Sequence, residues 1–85
     1  MNRSIALRTY WGDWMKISMN ETQLVKLKVH LQADSTEPIA LGGYVFRPQG
    51  DVLYFANSGI PSKYYFEMSP LQVIAVIDEA LNARY

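Results

Sequence analysis

The chain of 85 residues contains no cysteine, which removes several kinds of functional site at once. Without thiols there can be no disulfide, no iron–sulfur cluster, no thiolate zinc site and no cysteine nucleophile. Eight basic residues balance eight acidic ones, so no net charge attracts nucleic acid or anionic lipid over distance. The longest apolar run, Val73–Ile77, is far shorter than the roughly 20 residues that span a bilayer.

The N-terminal residues include the charged Arg8 and lack the apolar core of a signal peptide. Apolar residues make up 49% of the chain, which is typical of a globular protein rather than a disordered one. We therefore expect a single cytoplasmic domain over residues 1–85 with no membrane association. A domain of this size hides only about 60–65% of its unfolded surface, and without disulfides it gains stability by association, so we predict a homodimer or a bound partner.

Catalytic and metal-binding residues are scarce as well. His30 is the single histidine, and we expect it on the polar side of a strand without a second ligand at suitable spacing. Asp78 and Glu79 are adjacent, so on a helix their carboxylates diverge by about 100°. Gly42-Gly43 indicates a bulge or a close backbone approach rather than a phosphate site. The sequence therefore predicts no enzyme, no metal and no cofactor.

Alternation of apolar and polar residues predicts a first hairpin before residue 20. A three-residue loop, Gly12-Asp13-Trp14, places Trp11 opposite Met15 and Leu7 opposite Met19. This register puts all the apolar residues of both strands on one face and leaves Trp14 at the loop tip.

Residues 20–32 allow two interpretations. Val25, Leu27, Val29 and Leu31 alternate with polar residues, which favours a half-buried strand. The preceding Asn20-Glu21-Thr22-Gln23 instead favours the start of a helix. We prefer the strand and keep the helix as the alternative.

A second hairpin is predicted from Ile39–Arg47 and Asp51–Asn57 around Pro48-Gln49-Gly50. This turn sets Arg47 opposite Asp51, a favourable pair of opposite charges. It also sorts the side chains into two faces. The first holds Leu41, Val45, Leu53 and Phe55, and the second holds Tyr44, Phe46, Val52 and Tyr54.

The C-terminal third predicts a loop with Gly59 and Pro61, a strand over Lys63–Met68 and then a helix. Ser69 has the residue type of an N-cap, Pro70 suits the first helical position, and a broad apolar face continues towards Arg84. The predicted fold is α+β: an antiparallel meander of five or six strands with one C-terminal helix packed on one face.

The predicted function follows from the aromatic face of the second hairpin. If the helix covers the aliphatic face, a set of rings faces solvent, as at protein interfaces. The predicted partner-binding residues are Tyr44, Phe46, Tyr54, Tyr65 and Trp14. We expect a small non-enzymatic interaction module, of the inhibitor, immunity or adaptor type, that occupies a surface of a larger protein. The short length alone suggests a phage or mobile-element origin.

The alternative is a domain that binds single-stranded nucleic acid through the same aromatic face. Its phosphate contacts would come from the basic residues of the N-terminal part, Arg3, Arg8, Lys16, Lys26 and Lys28. Residues 1–31 carry five basic and two acidic groups, whereas the aromatic hairpin lies in the acidic remainder. This separation of charge from rings disfavours the alternative.

Overall fold

The structure, a computed structural model, describes residues 2–57 and 60–82, with side chains described for residues 3–57 and 64–82. Elements in this part of the chain follow in the order β1 (Asn2–Arg8), β2 (Trp14–Asn20), α1 (Glu21–Gln32), β3 (Ile39–Leu41), β4 (Tyr44–Gln49), β5 (Val52–Asn57), β6 (Ile60–Phe66) and α2 (Pro70–Asn82). The fold is α+β, as predicted. The single meander with one helix is wrong, because α1 separates a two-stranded antiparallel sheet, β1-β2, from a four-stranded one, β3-β4-β5-β6.

The first hairpin has a longer loop than predicted. Ile5 pairs with Ile17 and Leu7 with Met15, so the predicted pairing of Leu7 with Met19 is wrong by four residues. Thr9 closes the loop: its buried hydroxyl donates to the Asp13 carbonyl at 3.0 Å and accepts from the Asp13 N–H at 3.1 Å. A four-residue shift is even, so the predicted single apolar face is retained.

Residues 21–32 form a helix, and the preferred strand is wrong. Asn20 caps α1 by accepting the Gln23 N–H at 2.8 Å, while the Gln23 side chain accepts the Asn20 N–H at 3.0 Å. This capping box satisfies two N–H groups that a helix start leaves unpaired. The buried face of the helix consists of Leu24, Leu27 and Leu31.

Gly42-Gly43 is neither a bulge nor part of a strand but a two-residue turn that divides the predicted Ile39–Arg47 strand into β3 and β4. Both glycines have positive φ, +58° and +84°, which two-residue hairpin turns require. Gly42 also lies close to β2, because a Cβ there would be 3.5 Å from Cγ of Met19.

The β4–β5 turn is Gly50-Asp51, with positive φ at Gly50, rather than Pro48-Gln49-Gly50. Pro48 instead lies buried within β4, opposite Leu53. Arg47 therefore pairs with Tyr54 and not with Asp51, a shift of three residues.

An odd shift exchanges the faces of one strand relative to the other. Phe46 is therefore on the buried face opposite Phe55, while Val45 and Arg47 share the outer face with Tyr54. The two predicted faces of this hairpin are correct for β5 and wrong for β4.

The two sheets meet where β1 ends. Thr9 forms a bridge with Phe66 of β6, and the Glu67 N–H donates to the Arg8 carbonyl at 2.8 Å. The Tyr10 N–H donates to the Tyr65 carbonyl at 3.1 Å, so the β1–β2 loop follows β6 for a further residue. This junction brings residues near the N-terminus to the edge of the second sheet.

The C-terminal helix is confirmed within the described residues. Ser69 Oγ accepts the Gln72 N–H at 3.3 Å, and the Gln72 side chain accepts the Ser69 N–H at 2.9 Å. The predicted last strand, Lys63–Met68, corresponds to β6 but starts later and ends later than the observed strand. The predicted Gly59 in the preceding loop and the last helical residues up to Arg84 lie outside the described residues.

One hydrophobic core joins all of these elements. It buries residues from both sheets and both helices, namely Ile5, Leu7, Ile17, Met19, Leu24, Leu27, Leu31, Leu41, Phe46, Leu53, Phe55, Phe66, Val73 and Ile77. Among the helices described, neither is long and apolar enough to cross a membrane.

Replacing Ser69 by alanine is expected to lower the free energy of unfolding by about 1 kcal/mol, because the first turn of α2 loses its cap. Urea denaturation monitored by circular dichroism measures the change. Ser18→Ala is the control, since Ser18 is exposed within β2 and should change stability by less than about 0.5 kcal/mol. Equal losses for the two variants would contradict the capping role.

Candidate functional site

The outer face of the four-stranded sheet carries a row of aromatic side chains. Arg47 on β4, Tyr54 on β5 and Tyr65 on β6 are cross-strand neighbours. Tyr10 continues the row from the β1–β2 loop, held there by the backbone hydrogen bond to Tyr65. We call these four residues the outer row.

Each member of the outer row contacts the next. The guanidinium carbon of Arg47 lies 4.8 Å from the centroid of the Tyr54 ring, and the Tyr54 and Tyr65 centroids are 5.5 Å apart. Tyr65 stacks on Tyr10 at 4.8 Å with an interplanar angle of 21°. Such cation–π and stacked pairs contribute roughly 0.5–1.5 kcal/mol each beyond the area they bury. Tyr10 also stacks on Tyr64 at 6.0 Å, and because Tyr64 packs against the core, this end of the row is linked to the core.

The outer row faces away from the core. Tyr44 and Tyr64 pack against the core cluster, whereas Tyr54 and Tyr65 do not belong to its packing shell. Tyr54 and Tyr65 are half-buried and each has a ring of the row on at least one side, while Tyr10 is 42% exposed. The row is therefore partly open to solvent along its length.

A second, apolar row runs beside it. Ala40, Val45 and Ala56 are cross-strand neighbours on the same outer face, and Val45 is 41% exposed. A cavity of about 200 Å³ lies where the two rows meet. Its lining residues are Pro38, Val45, Arg47, Tyr54, Phe55 and Ala56.

Two of the five predicted partner-binding residues, Tyr54 and Tyr65, lie together in the outer row. Phe46 is fully buried and Tyr44 is half-buried against the core, stacked on Phe46 at 5.9 Å, so their predicted solvent face is wrong. The cause is the three-residue change of register in β4. Trp14 is 65% exposed, but it lies opposite Arg8 at the start of β2 and not at a loop tip.

Tyr10 and Arg47 are the members of the row that the sequence did not identify. Tyr10 reaches it through the Thr9–Phe66 bridge, a contact between distant parts of the chain with no local sequence signal. Arg47 was assigned to an ion pair with Asp51 by the incorrect turn. Arg47 and Val45 are two residues apart, so the sequence predicts that they share one face of β4. It does not predict that this face is also the face of Tyr54, because that depends on the register between β4 and β5.

The basic residues of the nucleic-acid alternative do not form one surface. Arg3 donates to the Ala80 carbonyl at 2.5 Å at the end of α2, and Lys28 forms a salt bridge of 2.5 Å with Asp78. Arg8 and Lys16 share the outer face of the first hairpin, and Lys26 is exposed on α1. Arg8 also donates from Nη2 to the Glu67 carbonyl at 3.4 Å, so three of the five cations serve contacts within the fold, and none lies in the outer row.

His30 lies in the last turn of α1 and not on a strand. Its Nε2 is 2.6 Å from the Glu37 carbonyl oxygen, so it ties the helix end to the following turn. Across the residues whose side chains are described, no three histidine, aspartate or glutamate groups lie close enough together to hold a metal ion.

Comparisons of the chain with protein-family models, with curated proteins and with solved structures find no match in any of the three. The groups gathered at the outer row are three tyrosine rings and one guanidinium, and the methyl groups of Ala40, Val45 and Ala56 lie in the adjoining apolar row. Tyrosine and arginine are among the residue types enriched at the energetic centres of protein interfaces.

Proposed function

We propose that the chain is a small non-enzymatic interaction module that acts by occupying a surface of a larger protein. The observation that carries this proposal is the outer row, in which three tyrosines and an arginine contact one another in sequence along the outer side of the four-stranded sheet. Tyrosine and arginine are the residue types, together with tryptophan, that concentrate at the energetic centres of protein interfaces.

The stacking supports binding in a second way. An interface loses about 0.5–1.5 kcal/mol for each mobile side chain that it immobilises. In the outer row the rings already restrict one another, with Tyr65 between Tyr10 and Tyr54. Less conformational freedom therefore remains to be lost when a partner covers them.

The partner that fits this surface is a protein that dissociates rather than a permanent subunit. Tyrosine hydroxyls and the guanidinium keep the row compatible with water when it is uncovered, and non-obligate interfaces share this mixed character. An inhibitor, immunity or adaptor role in the cytoplasm suits a chain of this size. A second copy of the chain is the competing occupant, and light scattering at tens of micromolar separates the two.

Tyr54→Ala is expected to weaken partner binding by about 2 kcal/mol or more, roughly a thirtyfold loss of affinity, because Tyr54 contacts both Arg47 and Tyr65. A partner is first identified by crosslinking in the native host, and its purified form is then titrated calorimetrically with wild type and variant.

Tyr44→Ala is the matched control for this experiment. Tyr44 is also a half-buried tyrosine of the second sheet, but it packs against the core. Its replacement should reduce stability and leave the affinity of the folded protein unchanged. Unchanged affinity in Tyr54→Ala would remove the outer row as the binding site. Binding of single-stranded oligonucleotides that weakens with salt and requires Tyr54 would instead support the nucleic-acid alternative.

A further inference from the structure

Arg47 is the charged member of the outer row, and its charge has no carboxylate partner among the described side chains. Within that part of the chain the salt bridge found is the one between Lys28 and Asp78. The contacts of Arg47 are a hydrogen bond from Nη1 to the Gln49 side-chain oxygen at 2.8 Å and the face of the Tyr54 ring.

These two contacts hold the guanidinium without neutralising it. A guanidinium has five N–H donors in a rigid fork, and Gln49 accepts from one of its nitrogens. The Tyr54 ring restricts one face of the group and shields it partly from water, since Arg47 is half-buried. A fork held in this way is suited to a carboxylate, which accepts two parallel N–H bonds.

An apolar site adjoins the guanidinium. Val45 precedes Arg47 by two residues on β4 and shares its outer face, with the cavity of about 200 Å³ between them and Ala56. A cavity of about 150 Å³ admits benzene, so this volume suffices for one aliphatic side chain.

Building on the proposed function, we propose that the segment of the partner bound at the outer row is extended and carries a carboxylate two residues from an aliphatic side chain. Alternate residues of an extended chain point to one side about 6.6 Å apart, which is the same repeat that separates Val45 from Arg47 along β4. The carboxylate pairs with Arg47 and the aliphatic side chain enters the cavity.

A second copy of this chain does not supply such a segment. Outside the helices, leucine, isoleucine or valine lies two residues from an acid at Glu37/Ile39 and at Asp51/Leu53. Leu53 is fully buried and Ile39 packs against the core, so neither aliphatic side chain is free to bind elsewhere. The acidic segment therefore belongs to a different protein.

Selection from a phage-displayed library of random peptides tests this inference without knowledge of the partner. The full chain is expected to enrich peptides with Asp or Glu two residues from Val, Leu or Ile. Arg47→Gln should lose the acidic preference while the aliphatic preference remains. Lys16→Gln is the matched control, because it removes an exposed cation from the other sheet and should enrich the same peptides as wild type.

One enriched peptide, synthesised with a fluorescent label, is then titrated with each variant. The affinities measure the contribution of the pair between Arg47 and the peptide carboxylate. Changing its acid to the amide is expected to weaken binding to wild type at least about thirtyfold and to have little effect on Arg47→Gln. Arg47→Lys keeps the positive charge but loses the planar group that can donate two parallel N–H bonds. Its affinity for the acidic peptide should therefore lie between that of wild type and that of Arg47→Gln. Thermal melts confirm that each variant is folded.

The outcomes separate this inference from the proposed function. The inference that the bound segment carries a carboxylate is contradicted if the enriched peptides need Tyr54 for binding but contain no acid. It is also contradicted if they bind Arg47→Gln as well as wild type. In both cases the outer row remains a binding surface. Peptides that depend on neither Tyr54 nor Arg47, or the absence of any enrichment, overturn both.

Discussion

Phe46→Ala is expected to lower the free energy of unfolding by about 3–5 kcal/mol, the usual loss for a buried phenylalanine. Phe46 is fully buried opposite Phe55, and Phe55 in turn stacks on Phe66 with centroids 4.1 Å apart. Truncation leaves a cavity among rings that are each held by a strand, so the surroundings can collapse only partly. Urea denaturation measures the loss as a lower midpoint at unchanged slope.

Tyr54→Ala on the facing strand is the control for this measurement. Tyr54 is on the outer face and outside the packing shell of the core, so its truncation should cost less than that of Phe46, about 1–3 kcal/mol from the lost contacts with Arg47 and Tyr65. The Pro48-Gln49-Gly50 turn would place Phe46 and Tyr54 on one face, so similar small losses for both variants would support that pairing and contradict the observed one. The two variants together therefore report whether Phe46 and Tyr54 lie on the same face of the sheet or on opposite faces.

Alternation within a strand could be predicted from the sequence, but the register between strands could not. The pattern shows that Leu53 and Phe55 share a face and that Val45 and Arg47 do, because side chains on a strand repeat every two residues. Which of these sets is buried depends on the turn. Between β4 and β5 the observed pairing differs from the predicted pairing by three residues, which reverses the faces of β4. Between β1 and β2 it differs by four residues, which preserves the faces.

The residues of the candidate site could be predicted from the sequence only where the face of their strand was predicted correctly. Tyr54 and Tyr65 were identified because β5 and β6 were assigned the correct faces, while Phe46 was misplaced with its strand. Tyr10 could not have been found, since it joins the row through pairing between residues more than 50 positions apart, as in the hydrogen bond from Tyr10 to Tyr65. Local pattern carries no information about such contacts.

α2 was predicted from the sequence whereas α1 was predicted as a strand, and the two helices differ in how their apolar residues are distributed. Ser69-Pro70 is a strong start signal, and the apolar residues of α2 gather on one side. In α1 the apolar residues occur on both sides, with Leu24, Leu27 and Leu31 buried and Val25 and Val29 exposed. Such a helix has little contrast between its faces, so alternation with lysine resembled a strand. The capping box of Asn20 and Gln23 was the informative local signal.

Leu24→Ala is accordingly expected to destabilise the protein by about 2–5 kcal/mol, because Leu24 is fully buried in the core beside Leu27 and Leu31. Val29→Ala should change stability by no more than about 0.5 kcal/mol, since Val29 is 57% exposed and alanine is the better helix former. Chemical denaturation of both variants against wild type gives the two values.

The pair of variants distinguishes a helix from a strand at residues 21–32. On a strand, Val29 would share the buried face with Val25, Leu27 and Leu31, and Leu24 would lie on the polar face. Val29→Ala would then be the costly change and Leu24→Ala the silent one. On the helix the order is reversed, because Leu24, Leu27 and Leu31 follow the spacing of three and four residues that places them on one side. A large loss for Val29→Ala with none for Leu24→Ala would show that α1 does not form in solution.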